Sequence, residues 1–139
     1  YNADGSSAKM CGNAARSVVN YYLKFHAKDP KELITFKTAR GIVSGKEVRN
    51  SRILVKLPMQ VSDPVPSTFA GHKGCMVDSG VPHFVLFSMP IREVAMQVRT
   101  SPDWPRDGAN VTFVENVSSR HVRSITFERG VNDFTRSCG

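Results

Sequence analysis

The sequence has 139 residues, of which 40% are hydrophobic and 22% charged, and its formal net charge is +7. This composition is typical of a globular rather than a disordered chain, and no apolar run reaches the ~18–20 residues that a membrane span requires. The Lys and Arg residues are scattered rather than clustered, so we expect neither a nucleic-acid interface nor a membrane-binding surface.

The chain opens with a loop that runs into a predicted helix. Residues 1–10 are mostly small and polar, and apolar residues at three- and four-residue spacing then predict a helix over 12–26. Cys11 is expected at the helix N-terminus, where backbone N–H groups and the helix dipole favour a reactive thiolate. The N–H groups of Gly12 and Asn13 would also suit a bound anion. The alternative is a buried, inert cysteine.

Short runs of alternating hydrophobicity follow Pro30, and we interpret them as strands. The predicted strands cover residues 33–38, 41–45, 52–57, 75–79, 81–89, 110–115 and 121–127. Residues 58–74 are rich in proline and glycine, which predicts a long connection. A short helix or strand is expected within 90–106, and the last two strands are expected to form an antiparallel pair.

The cysteines of the sequence are Cys11, Cys75 and Cys138. They form no CxxC pair and have no zinc-finger spacing with histidine, so we expect no metal site. They are also too few for a disulfide framework, which favours a reducing, cytoplasmic setting. Cys138 precedes a glycine, as Cys11 does, so the same dipeptide occurs near both ends of the chain.

Four short segments carry most of the residues with catalytic potential. They are Asn2-Ala3-Asp4-Gly5-Ser6 with Cys11-Gly12-Asn13, then Gly80-Val81-Pro82-His83, Asn110-Val111-Thr112-Phe113-Val114, and Glu128-Arg129-Gly130-Val131 with Cys138-Gly139. In this order they resemble the motifs of the diaminopimelate epimerase family. The resemblance covers nearly the whole chain, which we expect to be the central portion of such a protein, with little activity alone.

The resemblance implies an α+β fold of two similar halves, each a curved antiparallel sheet or barrel around a central helix, here incomplete at both ends. Residues 1–60 would hold the remainder of the first half, with the first cysteine loop, a helix and strands. Residues 61–74 would be the connection. Residues 75–139 would be the second half, truncated after the second cysteine.

The resemblance also implies a cofactor-independent epimerase that interconverts LL- and meso-diaminopimelate, a step in lysine and peptidoglycan-precursor biosynthesis. Cys11 and Cys138 would be its two acid/base residues, and His83 and Glu128 would assist the thiols or align the substrate. The implied substrate contacts are Asn2, Gly12, Asn13, Asn110, Glu128, Arg129 and Gly139. The implied partner is an amino-acid substrate, without nucleic acid, membrane, cofactor or metal, and a homodimer is a candidate assembly.

These residue types suit racemisation without a cofactor. The α-proton of an amino acid is weakly acidic, and no pyridoxal ring is present to absorb the carbanion's charge. One base on each face of the α-carbon can remove and deliver the proton, while N–H donors stabilise the developing charge. The planar guanidinium of Arg129 would pair with a carboxylate. Taken singly, His83 and Asn110 also have structural explanations, as a strand-end hydrogen bond and a turn residue.

Several positions depart from the family pattern and leave alternatives open. Val81 stands where many members carry an Asn that contacts the distal end of the substrate, which suggests a racemase of another amino acid, such as histidine. A non-catalytic relative that binds a small molecule or a protein is a second alternative. A thiol redox protein that uses Cys11 and Cys138 is a third, although the sequence lacks a CxxC motif.

Overall fold

The computed structural model describes residues 11–106 and 108–135. The chain divides into two compact units, and the boundary falls between Met59 and Gln60. Each unit packs a helix on a β-sheet, which confirms the predicted α+β class. In the described part of the chain, no helix is long and apolar enough to cross a membrane.

The first unit packs one helix on a three-stranded antiparallel sheet of strand order β1-β2-β3. Its elements are α1 (Gly12–Phe25), β1 (Ile34–Thr38), β2 (Gly41–Val48) and β3 (Arg52–Lys56). Its core is formed by Val19 and Leu23 of the helix with Ile34 of the sheet. The helix predicted over 12–26 is therefore confirmed, and it packs through one apolar face.

The helix α1 lies directly over the middle of β2. A Cβ atom on Gly45 would lie 2.7 Å from Cγ2 of Val19 and 3.0 Å from the carbonyl oxygen of Leu54. Only glycine therefore fits at this crossing, because any side chain would push the helix off the sheet. This close packing sets the position of the N-terminus of α1 on the unit.

The second unit is built around a six-stranded sheet whose described strands follow the chain order β4 to β9. Its elements are β4 (Val65–Phe69), β5 (His72–Asp78), β6 (Pro82–Leu86), α2 (Arg92–Arg99), β7 (Asn110–Ser118), β8 (His121–Glu128) and β9 (Asp133–Thr135). Buried side chains of the strands and of α2 form one core: Phe69, Phe84, Leu86, Ala95, Val98, Val111, Phe113 and Phe127. The element expected within 90–106 is thus a helix, α2.

The strands of this sheet run antiparallel with one exception among those described. β6 and β7 pair in parallel, with His83 opposite Asn110, and α2 lies in the crossover between them. The predicted antiparallel pair of the last two long strands is confirmed as β7 and β8, although β7 extends to Ser118. The parallel pair departs from the purely antiparallel expectation, because a parallel neighbour needs a long crossover that only the segment with α2 provides.

The prediction of a connection over residues 61–74 is wrong for most of that segment. β4 and the first residues of β5 form a hairpin there, closed by Ala70 and Gly71, which both have positive φ. Two residues with positive φ are typical of the tight turns that join antiparallel strands. The prolines of this segment are, in the sequence alone, evidence against a strand. Pro66 nevertheless lies in β4, because β4 is an edge strand of the described sheet, where a missing N–H is tolerated.

Candidate active site

Cys11 is the N-cap residue of α1. Its backbone is extended, with φ −142° and ψ 111°, and its Sγ accepts a hydrogen bond from the backbone nitrogen of Ala14 at 3.4 Å. The side chain is exposed, whereas Gly12 is buried. The thiol therefore lies at the positive end of the helix dipole, with access to solvent, and it is not a core residue.

The first turn of α1 is held together by side chains that follow Cys11. The amide oxygen of Asn13 accepts a hydrogen bond from the guanidinium of Arg16, and the backbone carbonyl of Asn13 accepts one from the hydroxyl of Ser17 at 3.1 Å. Arg16 thereby adds a positive charge to the helix N-terminus. This charge and the helix dipole both favour an anion there.

Asn110 lies at the start of β7 and joins two of the other motifs. It is 5% exposed, and its Oδ1 accepts a hydrogen bond from the backbone nitrogen of Arg129 at 3.0 Å. Its Nδ2 lies 3.3 Å from Nε2 of His83, which is the register partner of Asn110 on the parallel strand β6. Three motifs that are far apart in sequence therefore meet at this buried amide.

The second ring nitrogen of His83 contacts a hydroxyl that was not among the predicted site residues. Nδ1 lies 2.8 Å from Oγ1 of Thr112, and that hydroxyl lies 3.0 Å from Oγ1 of Thr126. A signal for Thr112 was present in the sequence, because it follows Asn110 by two residues and so shares its face of the strand. Thr126 had no such signal, since only the strand register places it opposite Thr112.

The environment of His83 favours a neutral ring. Burial lowers the pKa of His83 below its ordinary value of 6.5, the carboxylates of Glu128 and Asp78 oppose this shift, and the Arg129 guanidinium adds to it. Desolvation is the largest of these effects. It lowers the pKa because burial penalises the charged imidazolium. At neutral pH His83 therefore donates from one ring nitrogen and accepts at the other.

Glu128 is the last residue of β8 and Arg129 follows it, and their side chains make different contacts. The carboxylate of Glu128 accepts a hydrogen bond from the hydroxyl of Thr135 on β9. Nη1 of Arg129 donates to the carbonyl oxygen of Gly108 at 3.1 Å. The chain then turns at Gly130, where φ is +83°. The two charges thus have separate hydrogen-bond partners, Thr135 for Glu128 and Gly108 for Arg129.

The predicted site residues fall into three groups. Cys11, Gly12 and Asn13 lie at the N-terminus of α1 in the first unit. The residues that the second unit brings to one end of β6, β7 and β8 are His83, Asn110, Glu128 and Arg129. The predicted residues Asn2, Cys138 and Gly139 lie outside the described residues. Within 11–106 and 108–135, no cluster of three or more His, Cys, Asp or Glu side chains is arranged to hold a metal ion.

The chain is similar over its whole length to curated diaminopimelate epimerases. It is 32% identical to the enzyme of Hydrogenobaculum sp. (strain Y04AAS1) and covers 53% of that protein. It is 34% identical to that of Campylobacter jejuni (strain RM1221) and 30% identical to that of Aquifex aeolicus (strain VF5), of which it covers 54% and 52%. The resemblance inferred from the four motifs is therefore confirmed, and the chain spans about half the length of these relatives.

Other comparisons bear on the fold. No protein-family model matches the chain. A solved structure of a probable proline racemase from Agrobacterium radiobacter K84 superposes with a TM-score of 0.55 over 90% of this chain and 47% of that protein, at 15% sequence identity. At this identity the likeness shows a shared fold.

Proposed function

We propose that this chain is part of a pyridoxal-independent epimerase that interconverts LL- and meso-diaminopimelate. The observation that carries the proposal is the meeting of three motifs at Asn110, whose amide contacts both His83 and the backbone of Arg129. Similarity to diaminopimelate epimerases over the whole chain supports the choice of substrate. Its product would serve lysine and peptidoglycan-precursor biosynthesis in the cytoplasm, and a homodimer is a candidate assembly.

The proposed reaction exchanges one proton at the α-carbon without a change in oxidation state. A thiolate removes the α-proton from one face, and a thiol delivers a proton to the opposite face, so that the configuration inverts. We assign these roles to Cys11 and Cys138, which exchange them according to the handedness of the substrate. Two thiols that exchange roles need no cofactor, provided that the carbanion-like transition state is stabilised by the site.

That stabilisation is assigned to groups that favour negative charge. The N-terminus of α1, with the N–H groups of Gly12 and Asn13, suits the carboxylate next to the reacting carbon. Asn110 and Arg129 are assigned to substrate contacts, because an amide and a guanidinium can bind carboxylate and ammonium groups. A neutral His83 supplies hydrogen bonds without adding a positive charge. Glu128, held by Thr135, aligns the substrate and its ammonium group.

A racemase of another amino acid with the same fold is the second candidate, and Val81 favours it. Val81 is partly buried in the turn before β6, two residues before His83, and it is apolar where many relatives of this kind carry an Asn. An apolar side chain there suits a substrate whose side chain lacks the distal amino-acid group of diaminopimelate. A non-catalytic binding protein or a thiol redox protein would show no proton exchange at all.

The test is α-proton exchange in D2O, followed by NMR, with the complete reading frame that contains this chain. Reduced protein and LL-diaminopimelate are expected to give deuterium at the α-carbon together with the meso isomer. Cys11→Ser and Cys138→Ser are expected to abolish this exchange. Cys75→Ser is the matched control, because Cys75 is a partly buried thiol on β5 and carries no assigned role.

The outcomes separate the candidates. Exchange with other amino acids but not with diaminopimelate would establish the racemase alternative. A folded, reduced protein that exchanges no amino acid would reject the enzyme proposal and favour a binding protein. Loss of activity in Cys75→Ser to the same extent as in Cys11→Ser would contradict the assignment of the two thiols.

A further inference from the structure

The hydrogen bonds around Asn110 have only one consistent direction. The backbone N–H of Arg129 can only donate, so the atom that faces it must be the amide oxygen Oδ1 of Asn110. The amide nitrogen then faces His83 and donates to Nε2. Because Nε2 accepts this hydrogen bond, it carries no proton, and the neutral ring has its proton on Nδ1.

The direction continues from the ring into the sheet. The Nδ1–H group of His83 donates to Oγ1 of Thr112 over 2.8 Å. The Thr112 hydroxyl lies 3.0 Å from Oγ1 of Thr126, and either hydroxyl can donate in this pair. Thr126 is 7% exposed, so its hydroxyl needs a protein partner, and Thr112 supplies one. Neighbouring hydrogen bonds of this kind polarise and strengthen one another.

We propose that Thr112 and Thr126 are positioning residues: their hydroxyls hold His83 in its Nδ1–H tautomer, and His83 in turn fixes the orientation of the Asn110 side chain. The proposal rests on the proposed function only where it takes Asn110 to be a substrate contact. The geometry of the chain from Thr126 to Arg129 stands without that assumption.

Threonine suits this task for two reasons. Its branched Cβ restricts rotation about χ1, so the hydroxyl stays in place without further contacts. The two threonines are also register partners on β7 and β8, and Thr112 lies on the same face of β7 as Asn110. The sheet therefore aligns both hydroxyls with the ring on β6.

Without the Thr112 hydroxyl, neither ring tautomer of His83 keeps both of the hydrogen bonds described above. In the Nδ1–H tautomer, the ring N–H would lose its bond to the Thr112 hydroxyl and face a methyl group in its place. In the Nε2–H tautomer, the ring N–H would face the amide N–H of Asn110, donor against donor. Since the first arrangement loses the bond to Thr112 and the second loses the bond from Asn110, we expect a mixture of ring states and a less defined Asn110 amide.

Charged groups around the ring act in addition to this network. Asp78 of β5 and Glu128 of β8 favour protonation of His83, whereas the guanidinium of Arg129, which follows β8, opposes it. Each of them remains in the threonine variants. A change seen in those variants therefore reports the hydroxyls and not an altered field of charges.

The experiment measures the ring tautomer of His83 from the ¹⁵N chemical shifts of its two ring nitrogens. It uses the complete reading frame that contains this chain, and His83→Gln assigns the signal. The parent protein is expected to show a protonated Nδ1 and an unprotonated Nε2 at neutral pH. Thr112→Val, which keeps the shape and removes the hydroxyl, is expected to shift the two signals towards each other, and Thr112→Ser is expected to restore them.

Turnover is measured on the same variants. In Thr112→Val, kcat for diaminopimelate is expected to fall about tenfold, which is the effect expected from the loss of one buried hydrogen bond. In Thr126→Val, kcat is expected to fall less, since Thr126 reaches His83 only through Thr112. In Thr112→Ser, kcat is expected to stay close to that of the parent protein, because the hydroxyl is kept. Thr68→Val is the matched control, because it makes the same change at an exposed position of β4.

The inference is overturned if His83 of the parent protein carries its proton on Nε2, or if Thr112→Val leaves both nitrogen signals unchanged. A folded Thr112→Val with the parent kcat also overturns the positioning role. Absence of turnover in the parent protein would contradict the proposed function instead, and the nitrogen shifts would then decide the inference by themselves.

Discussion

The Sγ atom of Cys11 lies 3.4 Å from the backbone nitrogen of Ala14 and accepts its hydrogen bond. The residue assigned to proton transfer is thus also the cap of α1. A helix leaves its first N–H groups without partners, and a side-chain acceptor at the N-cap satisfies one of them. The proposed proton transfer and the stability of α1 would therefore depend on the same atom, and substitutions can separate them.

We expect Cys11→Ser and Cys11→Ala to lose proton exchange equally but to differ in stability. Serine is a good N-cap, so its hydroxyl replaces the sulfur as acceptor and stability is kept. Alanine removes the acceptor, which costs about 0.5–2 kcal/mol. Urea unfolding of both variants measures this difference. Equal stability of the two variants would show that the thiol does not cap α1.

The stability of the protein is expected to fall in mild acid because of His83. Burial lowers the pKa of His83 below 6.5, so the unfolded chain binds its proton at a higher pH than the folded chain does. The free energy of unfolding therefore decreases as the pH falls through 6.5, and this decrease ends below the folded-state pKa.

This pH dependence can be measured as the urea midpoint between about pH 7.5 and about pH 5.5. His83→Gln is expected to be less stable at neutral pH, since it breaks the network, but to lose less of its stability on acidification. His121→Gln is the control, because His121 is exposed on β8. A urea midpoint of the parent protein that does not change over this range would contradict a buried, neutral His83.

Asn110→Asp is expected to raise the pKa of His83. The introduced carboxylate can still accept the N–H of Arg129, but it presents an oxygen rather than an N–H group to Nε2. A negative acceptor at that position favours the imidazolium. Titration of the ring by NMR measures the shift. The control Asn116→Asp places the same charge at an exposed position of β7 and should leave the His83 titration unchanged.

Gly45→Ala is expected to weaken the first unit and to reduce proton exchange. The added methyl group would lie 2.7 Å from Cγ2 of Val19, so α1 must move away from β2. Overpacking of this kind costs about 1–3 kcal/mol. Urea unfolding and the exchange assay measure both effects. Lys46→Ala, at an exposed position next to Gly45, should change neither stability nor exchange. A Gly45→Ala variant with the stability of the parent protein would contradict the close packing described for α1.

Local patterns of the sequence predicted much of the fold. The apolar spacing predicted α1 nearly to its ends, because a helix of this length buries one face and so repeats its apolar residues every three or four positions. Alternation likewise predicted β1, β3 and the β7–β8 pair. The hairpin of β4 and β5 was missed, because whether Pro66 breaks a strand depends on the position of that strand in the sheet.

What the sequence by itself determined is the set of motif residues and the cysteine at a helix start, since these depend on residue type and short spacing. The α+β class followed from the resemblance that the motifs carry. Only the tertiary structure decided which motif residues touch. The parallel pairing of β6 with β7 places His83 beside Asn110, and the register of β7 with β8 places Thr126 behind Thr112. Strand neighbours and their register arise from burial of the whole sheet, which no short stretch of sequence encodes.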